Sequence, residues 1–172
     1  NTLGSASVRL EAGTPCYPAS TMIGSTLGRY RIVEPLGEGG MGRVFLAEDP
    51  VLGRRLALKI LPDEFARDAE RRGRLLHEAR AASALSHPNI VVVHDVGETD
   101  GLLWLAMERV EGDSLRTWSA TRRAPAEVVK MIRQAVAGLG AAHAVGLVHR
   151  DLKPENMMVR SDGLLKILDF GI

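Results

Sequence analysis

His149-Arg150-Asp151-Leu152-Lys153-Pro154-Glu155-Asn156, followed by two short apolar runs and then Asp169-Phe170-Gly171, is the stretch on which the reading of this chain turns. Met157-Met158-Val159-Arg160 and Leu164-Leu165-Lys166-Ile167-Leu168 flank Ser161-Asp162-Gly163, and Asp-Gly between strand-like runs predicts a hairpin. The midpoint between positions 156 and 169 falls inside that turn. A symmetric hairpin therefore sets Asn156 and Asp169 side by side at its open end. Two hard oxygen ligands there, with Asp151 a few residues upstream, suit a magnesium ion that carries phosphates.

Upstream, Tyr30-Arg31-Ile32-Val33-Glu34-Pro35-Leu36 predicts a first strand and Arg43-Val44-Phe45-Leu46-Ala47-Glu48 a second. Between them lies Gly37-Glu38-Gly39-Gly40-Met41-Gly42, a turn whose backbone amides can approach phosphate oxygens without side-chain obstruction. Dinucleotide-binding folds use the same Gly-x-Gly-x-x-Gly spacing, but they place a helix after the glycines. Here a strand follows, with Val44 two residues beyond the last glycine. Residues 55 to 61 form a third strand, with Leu56, Leu58 and Ile60 on one face and Ala57 and Lys59 on the other. A lysine in so apolar a strand needs a partner, because an unpaired buried charge is costly. Residues 64 to 85 show helical periodicity, and Leu75, Glu78, Ala82 and Leu85 share a stripe on which Glu78 is the only acid. Lys59 and Glu78 are therefore expected to pair.

His87-Pro88 ends that helix, and Val91 to Val96 and Leu102 to Met107 read as two further strands joined near Thr99-Asp100-Gly101. His87 and His94 read as structural. Pro125 to Ala144 is an amphipathic helix opened by proline, with Val128, Ile132, Ala135, Leu139 and Ala142 expected in the core. His143 is expected as a buried, hydrogen-bonded core histidine, and Gly146 breaks the helix.

The chain has 172 residues, 45% of them apolar and 25% charged, which is enough for one domain with a real core. A net charge of +1 gives no reason to expect nucleic acid or an acidic membrane surface. No apolar run approaches the roughly 18 residues needed to span a bilayer. Cys16 is the only cysteine, so no internal disulfide or thiolate metal site can form, and a reducing compartment fits. Residues 1–28, rich in Ser, Thr, Gly, Ala and Pro, are expected to be a mobile tail without signal-peptide character.

Taken together, these motifs resemble those of the protein kinase family over about residues 29 to 172. Lys153-Pro154 after the Asp resembles the serine/threonine branch, and the Gly-Glu-Gly-Gly-Met-Gly loop with an Ala/Arg/Leu-rich composition looks most like its bacterial members. The resemblance implies a protein-kinase-like α+β fold. Residues 29–109 would form the smaller lobe, a five-stranded antiparallel sheet with one helix. Residues 110–172 would be the start of a mainly helical larger lobe. Because the chain stops one residue past Asp169-Phe170-Gly171, it reads as a fragment, expected to have little activity alone with the helix face around residues 128 to 142 uncovered.

By the same resemblance, Asp151 would accept the proton of the substrate hydroxyl and Lys153 would sit near the transferred phosphate. Asn156 and Asp169 would hold magnesium, or manganese in its place. Lys59, paired with Glu78, would meet the ATP phosphates, as would the amides of Gly37, Gly39 and Gly42. The Glu108 carbonyl and Val110 amide would bond adenine, with Met107 at the back of its pocket. Leu36, Val44 and Ala57 above the base and Met158 below it would form the apolar sandwich. His149 would pack behind the metal triplet, and Arg150 would bind a phosphate on an activation segment. The implied partners are ATP and proteins bearing Ser or Thr, with no nucleic acid, and the implied location is the cytoplasm, with a membrane anchor outside this stretch left open for the full-length parent. Two other readings are a kinase-shaped binding module without activity and a small-molecule kinase. The first usually lacks the lysine, the base or the metal Asp, and Lys153-Pro154-Glu155-Asn156 argues against the second.

Overall fold

The computed structural model describes residues 19–39, 42–62 and 69–170. Residues 1–18, Gly40 and Met41 of the glycine turn, the expected helix start at 64–68, and Gly171 lie outside the described residues. The chain divides into two compact units, Asn1–Gly73 with His94–Arg109, and Arg74–Val93 with Val110–Ile172.

In the first unit, among the described residues, six strands form one sheet in the order β1-β2-β3-β4-β6-β5. They are β1 (Thr26–Leu27), β2 (Tyr30–Gly39), β3 (Gly42–Asp49), β4 (Arg54–Ile60), β5 (Val93–Thr99) and β6 (Leu102–Met107). Five were expected; the sixth is the two-residue β1, preceded by a single helical turn α1 (Ala19–Met22). Met22 and Leu27 are buried in the core of this unit, so the expected mobile tail does not extend to residue 28. The two apolar side chains in this polar stretch are enough to anchor it.

Alternation along the strands builds the core. Tyr30, Ile32, Phe45, Leu56, Leu58, Ile60 and Trp104 belong to one buried cluster, with the Tyr30 and Trp104 rings edge to face at 5.5 Å. Pro35 cannot donate to a ladder, and β2 is irregular between Ile32 and Glu34 and between Pro35 and Gly37. The turn at Asp100-Gly101 places both residues at positive φ, 51° and 77°, the geometry of a tight hairpin turn.

The second unit begins with most of helix α2 (Ala69–Ala84), whose Leu75, Ala79 and Ala82 are buried. A three-stranded antiparallel sheet, β7-β8-β9, follows, built from β7 (Gly112–Ser114), β8 (Met157–Arg160) and β9 (Leu165–Ile167). A short helix α3 (Leu115–Ser119) is capped by the Ser114 hydroxyl. The long helix α4 (Pro125–Ala144) has the bounds its sequence sets. Glu127 Oε2 accepts the Ala124 N–H at its start. At its end Gly146 N donates to His143 O and Leu147 N to Ala142 O, with Gly146 left-handed at φ 76°.

Two expectations about α4 are corrected. Its buried residues are Met131, Gly138 and Ala142, while Val128 and Ile132 are 40% and 58% exposed and Ala135 and Leu139 are half-buried. The apolar surface of α4 is wider than one contact face. The Met131–Gly138–Ala142 stripe packs inward, with Gly138 drawn close to Asn89 and Ile167. Val128, Ile132 and Val136 line an apolar groove of about 560 Å³ with Leu115, Trp118 and Leu152. His143 is exposed, because the residue after inward-facing Ala142 is turned away from the core. No helix among the described residues is long and apolar enough to cross a membrane.

Gly42 and Gly37, at the two ends of the glycine turn, differ in what surrounds them. Gly42 has φ 113°, and a Cβ there would lie 2.1 Å from the Ile60 carbonyl oxygen; around Gly37 a Cβ would meet nothing within 4 Å. Gly42→Ala is expected to destabilise the protein by about 1–3 kcal/mol, read by chemical denaturation. Gly37→Ala is expected to stay within about 0.5 kcal/mol of the parent in the same measurement.

Candidate active site

The sequence-predicted residues fall in both units, and each half has its own geometry. In the first unit, cross-strand register aligns Val44 with Lys59 and Lys59 with Leu105, and in the next row Leu46 with Ala57 and Ala57 with Met107. Val44, Ala57, Lys59 and Met107 therefore share the sheet face opposite Phe45, Leu58 and Ala106. Lys59 is 2% exposed and Ala57 and Met107 are buried, whereas Leu36, near the end of β2, is 47% exposed. Gly37 pairs with Val44 and Gly39 with Gly42, so the glycine turn opens at the end of this sheet from which Lys59 projects. Glu108 follows β6 and is half-buried.

In the second unit, the catalytic-loop residues converge. Lys153 Nζ donates to Asp151 Oδ2 at 2.7 Å. Asn156 Nδ2 donates to the Asp151 carbonyl at 2.8 Å and to Asp151 Oδ2 at 3.1 Å. The hydrogen bond from Lys153, helped by its charge and by Asn156 and His149, holds the Asp151 carboxyl below the usual carboxylate range despite partial desolvation. The same bond raises the Lys153 ammonium, with Glu155 and Asp169 adding to it. Asp151 is thus kept ionised and oriented, as a proton acceptor must be.

The hairpin carries the other half of this cluster. Met157 pairs with Ile167 and Val159 with Leu165, so the turn centres on Asp162, and Leu168, not Asp169, lies opposite Asn156. Leu168 N donates to Asn156 O at 2.8 Å, and Asp169 is the next residue, in the left-handed region at φ 54°. That conformation is uncommon for a residue with a side chain and accompanies functional sites. His149, 3% exposed, bonds the Leu168 carbonyl through Nε2 at 2.7 Å, and its ring packs tilted against Phe170 with centroids 4.9 Å apart. The residue before Asp169 is thereby clamped from two sides. Met158 and Val110 are half-buried.

Among the described residues no three His, Cys, Asp or Glu side chains gather into a cage for a metal. The donor set of Asn156 and Asp169 still fits magnesium, which is held by one or two carboxylates and completed by water and phosphate oxygens. With its Nδ2 engaged by Asp151, the Asn156 amide has its oxygen left as a donor.

Three features were not read from the sequence. Glu78 Oε1 lies 2.9 Å from Arg150 Nη1, and Arg150 is itself left-handed at φ 65°. Nothing in the local spacing of either residue announces this pair. Arg116 reaches Glu155 at 2.8 Å across the catalytic loop. Gln134 binds the hairpin turn; its signal was present, as an amide on the stripe otherwise set by Met131, Gly138 and Ala142.

Residues 30–172 match the family model for the protein kinase domain. The chain belongs to the protein kinase family. Its kinase relatives include the serine/threonine-protein kinase PrkC of Bacillus subtilis, 42% identical over 84% of this chain and 23% of that protein. The serine/threonine-protein kinase PknD of Mycobacterium tuberculosis is 40% identical over 90% of this chain and 24% of that protein. The chain thus spans about a quarter of the length of these relatives. The crystal structure of the Mycobacterium tuberculosis PknI kinase domain superposes with a TM-score of 0.76 at 41% identity, covering 87% of this chain and 62% of that one. The protein-kinase-like fold expected from the motifs is thereby shown.

Lys153→Met is expected to raise the titration midpoint of the Asp151 carboxyl toward the ordinary value of about 3.9. Carboxyl-carbon NMR across an acid titration measures it.

Proposed function

We propose that this chain carries the ATP-binding and catalytic-loop portion of a protein serine/threonine kinase, which transfers the γ-phosphate of ATP to Ser or Thr hydroxyls of proteins. The observation that carries the reading is the joint hold on Asp151: an ionised carboxylate bonded to Lys153 and Asn156, in the unit whose hairpin presents Asp169.

In this mechanism Asp151 accepts the hydroxyl proton as the Ser or Thr oxygen attacks the γ-phosphorus. The bond from that phosphorus to the β–γ bridging oxygen breaks, and ADP leaves with the bond pair. Lys153, at the same carboxylate, lies where it can offset charge on the transferred group. Asn156 and Asp169 would hold a divalent ion, which supplies charge neutralisation on the phosphates when bound. Lys59 reaches the phosphates from its buried row, and Gly37, Gly39 and Gly42 offer backbone amides. By the same reading Val44, Ala57, Met107 and Leu36 of the first unit would contact the base and the Glu108 carbonyl would bond its edge, and Met158 and the Val110 amide of the second unit would each take an adenine contact. Most of the acceleration comes from placing groups, since the protein makes no covalent intermediate.

The test is magnesium-dependent transfer of labelled γ-phosphate to serine and threonine in a protein substrate, by the full-length gene product. Asp151→Asn is expected to lower the transfer rate by about 10²–10⁴-fold. Label on a small metabolite in place of protein, or wild-type rates in Asp151→Asn, would contradict the proposal.

A further inference from the structure

Strand β9 has only three residues, Leu165–Ile167, and lies at the edge of its sheet. A ladder this short specifies register weakly, and a slip of one residue would move Asp169 by about 3.3 Å and reverse every side chain. Something outside the ladder must therefore hold the strand.

The structure shows what does. Gln134, midway along α4, uses both ends of its amide: Oε1 accepts the Leu165 N–H at 2.9 Å and Asn89 Nδ2 at 2.9 Å, and Nε2 donates to the Gly163 carbonyl at 3.1 Å. Asn89, 6% exposed, gives its Nδ2 also to the Leu165 carbonyl at 2.8 Å. Both backbone polar groups of Leu165 on the open edge are thus taken by two side chains. Further along, Ile167 N donates to Asn89 O at 2.8 Å and Val91 N to Ile167 O at 2.9 Å. The edge that would otherwise stand unpaired is closed along its length. Gln134 is the member that also grips the turn, through Gly163.

We propose that Gln134 is a positioning residue for the metal-binding hairpin: acting through Leu165 and Gly163, it holds the register of β9 and so places Asp169 one residue past the Asn156–Leu168 bond. Its consequence for metal binding rests on the kinase reading above; its effect on the hairpin does not. Gln134 touches neither substrate nor metal. Its role is geometric, as for outer groups that orient metal ligands.

The experiment compares wild type, Gln134→Leu, Gln134→Glu and Met131→Ala by two readouts. One is amide hydrogen exchange at Leu165 and Leu168. The other is the free Mn²⁺ concentration for half-saturation in the presence of ATP, followed by electron paramagnetic resonance. Gln134→Leu removes all three bonds at similar size. It is expected to speed exchange at Leu168 and to raise half-saturating Mn²⁺ by about 10-fold or more. Gln134→Glu keeps the acceptor for Leu165 but loses the donor to Gly163, so it is expected to fall between. Met131→Ala removes a buried side chain of the same helix outside the network and is expected to lower the melting temperature without these changes.

Unchanged Leu168 exchange in Gln134→Leu would overturn the proposal. So would Met131→Ala matching Gln134→Leu in both readouts, because the effect would then be general loosening. If wild type binds no Mn²⁺ with ATP while Gln134→Leu still frees Leu168, the positioning role stands and the kinase reading fails. If Gln134→Leu does not fold, Gln134→Glu decides: faster exchange at Leu168 supports the proposal, and wild-type protection there overturns it.

Discussion

The Nδ2 of Asn156 donates to both the carbonyl and the carboxylate of Asp151, and the polar cluster of the second unit depends on that double contact. Asn156 also closes the hairpin, since its carbonyl accepts the Leu168 amide. One residue thus belongs to the loop that orients the Asp151 carboxylate and to the hairpin that carries Asp169. Asn156 is 8% exposed, so its amide is largely shielded from water, and its bonds are stronger for it. The His149 contact to the Leu168 carbonyl and the Lys153 contact to Asp151 are built around this centre.

The first unit uses a different device. There the shared face of Val44, Ala57, Lys59 and Met107 follows from strand alternation and register. The opposite face of the same strands, with Phe45, Leu58 and Ala106, fills the core. Register therefore decides which face carries Lys59: a one-residue slip would exchange the lysine for a leucine.

What was legible in the sequence is what local chemistry decides. Asp100-Gly101 and Asp162-Gly163 announced hairpins, and Pro125 and Gly146 bounded α4, because each acts on the backbone within a few residues. Asp151, Lys153 and Asn156 lie close in sequence, and their hydrogen bonds to one another are local contacts of the same kind. The register of β8 and β9 was off by one step, since the turn centres on Asp162, and spacing alone does not select between turn geometries. Val128, Ile132 and His143 were misplaced because periodicity marks an apolar stripe without saying which part of it meets a partner. Met22 and Leu27 were missed because two anchors leave no period to detect. The Glu78–Arg150 contact joins residues far apart in sequence, and only folding brings them together.

Asn156 and Asp169 are proposed to serve one divalent ion. The most direct measurement is paramagnetic broadening by Mn²⁺, with ATP present, of the Asn156 side-chain amide and the Asp169 carboxyl carbon in selectively labelled protein. Both resonances are expected to broaden together, at the same Mn²⁺ concentration, and to recover when magnesium displaces manganese. Broadening of only one of them, or of neither at nucleotide saturation, would contradict the shared site.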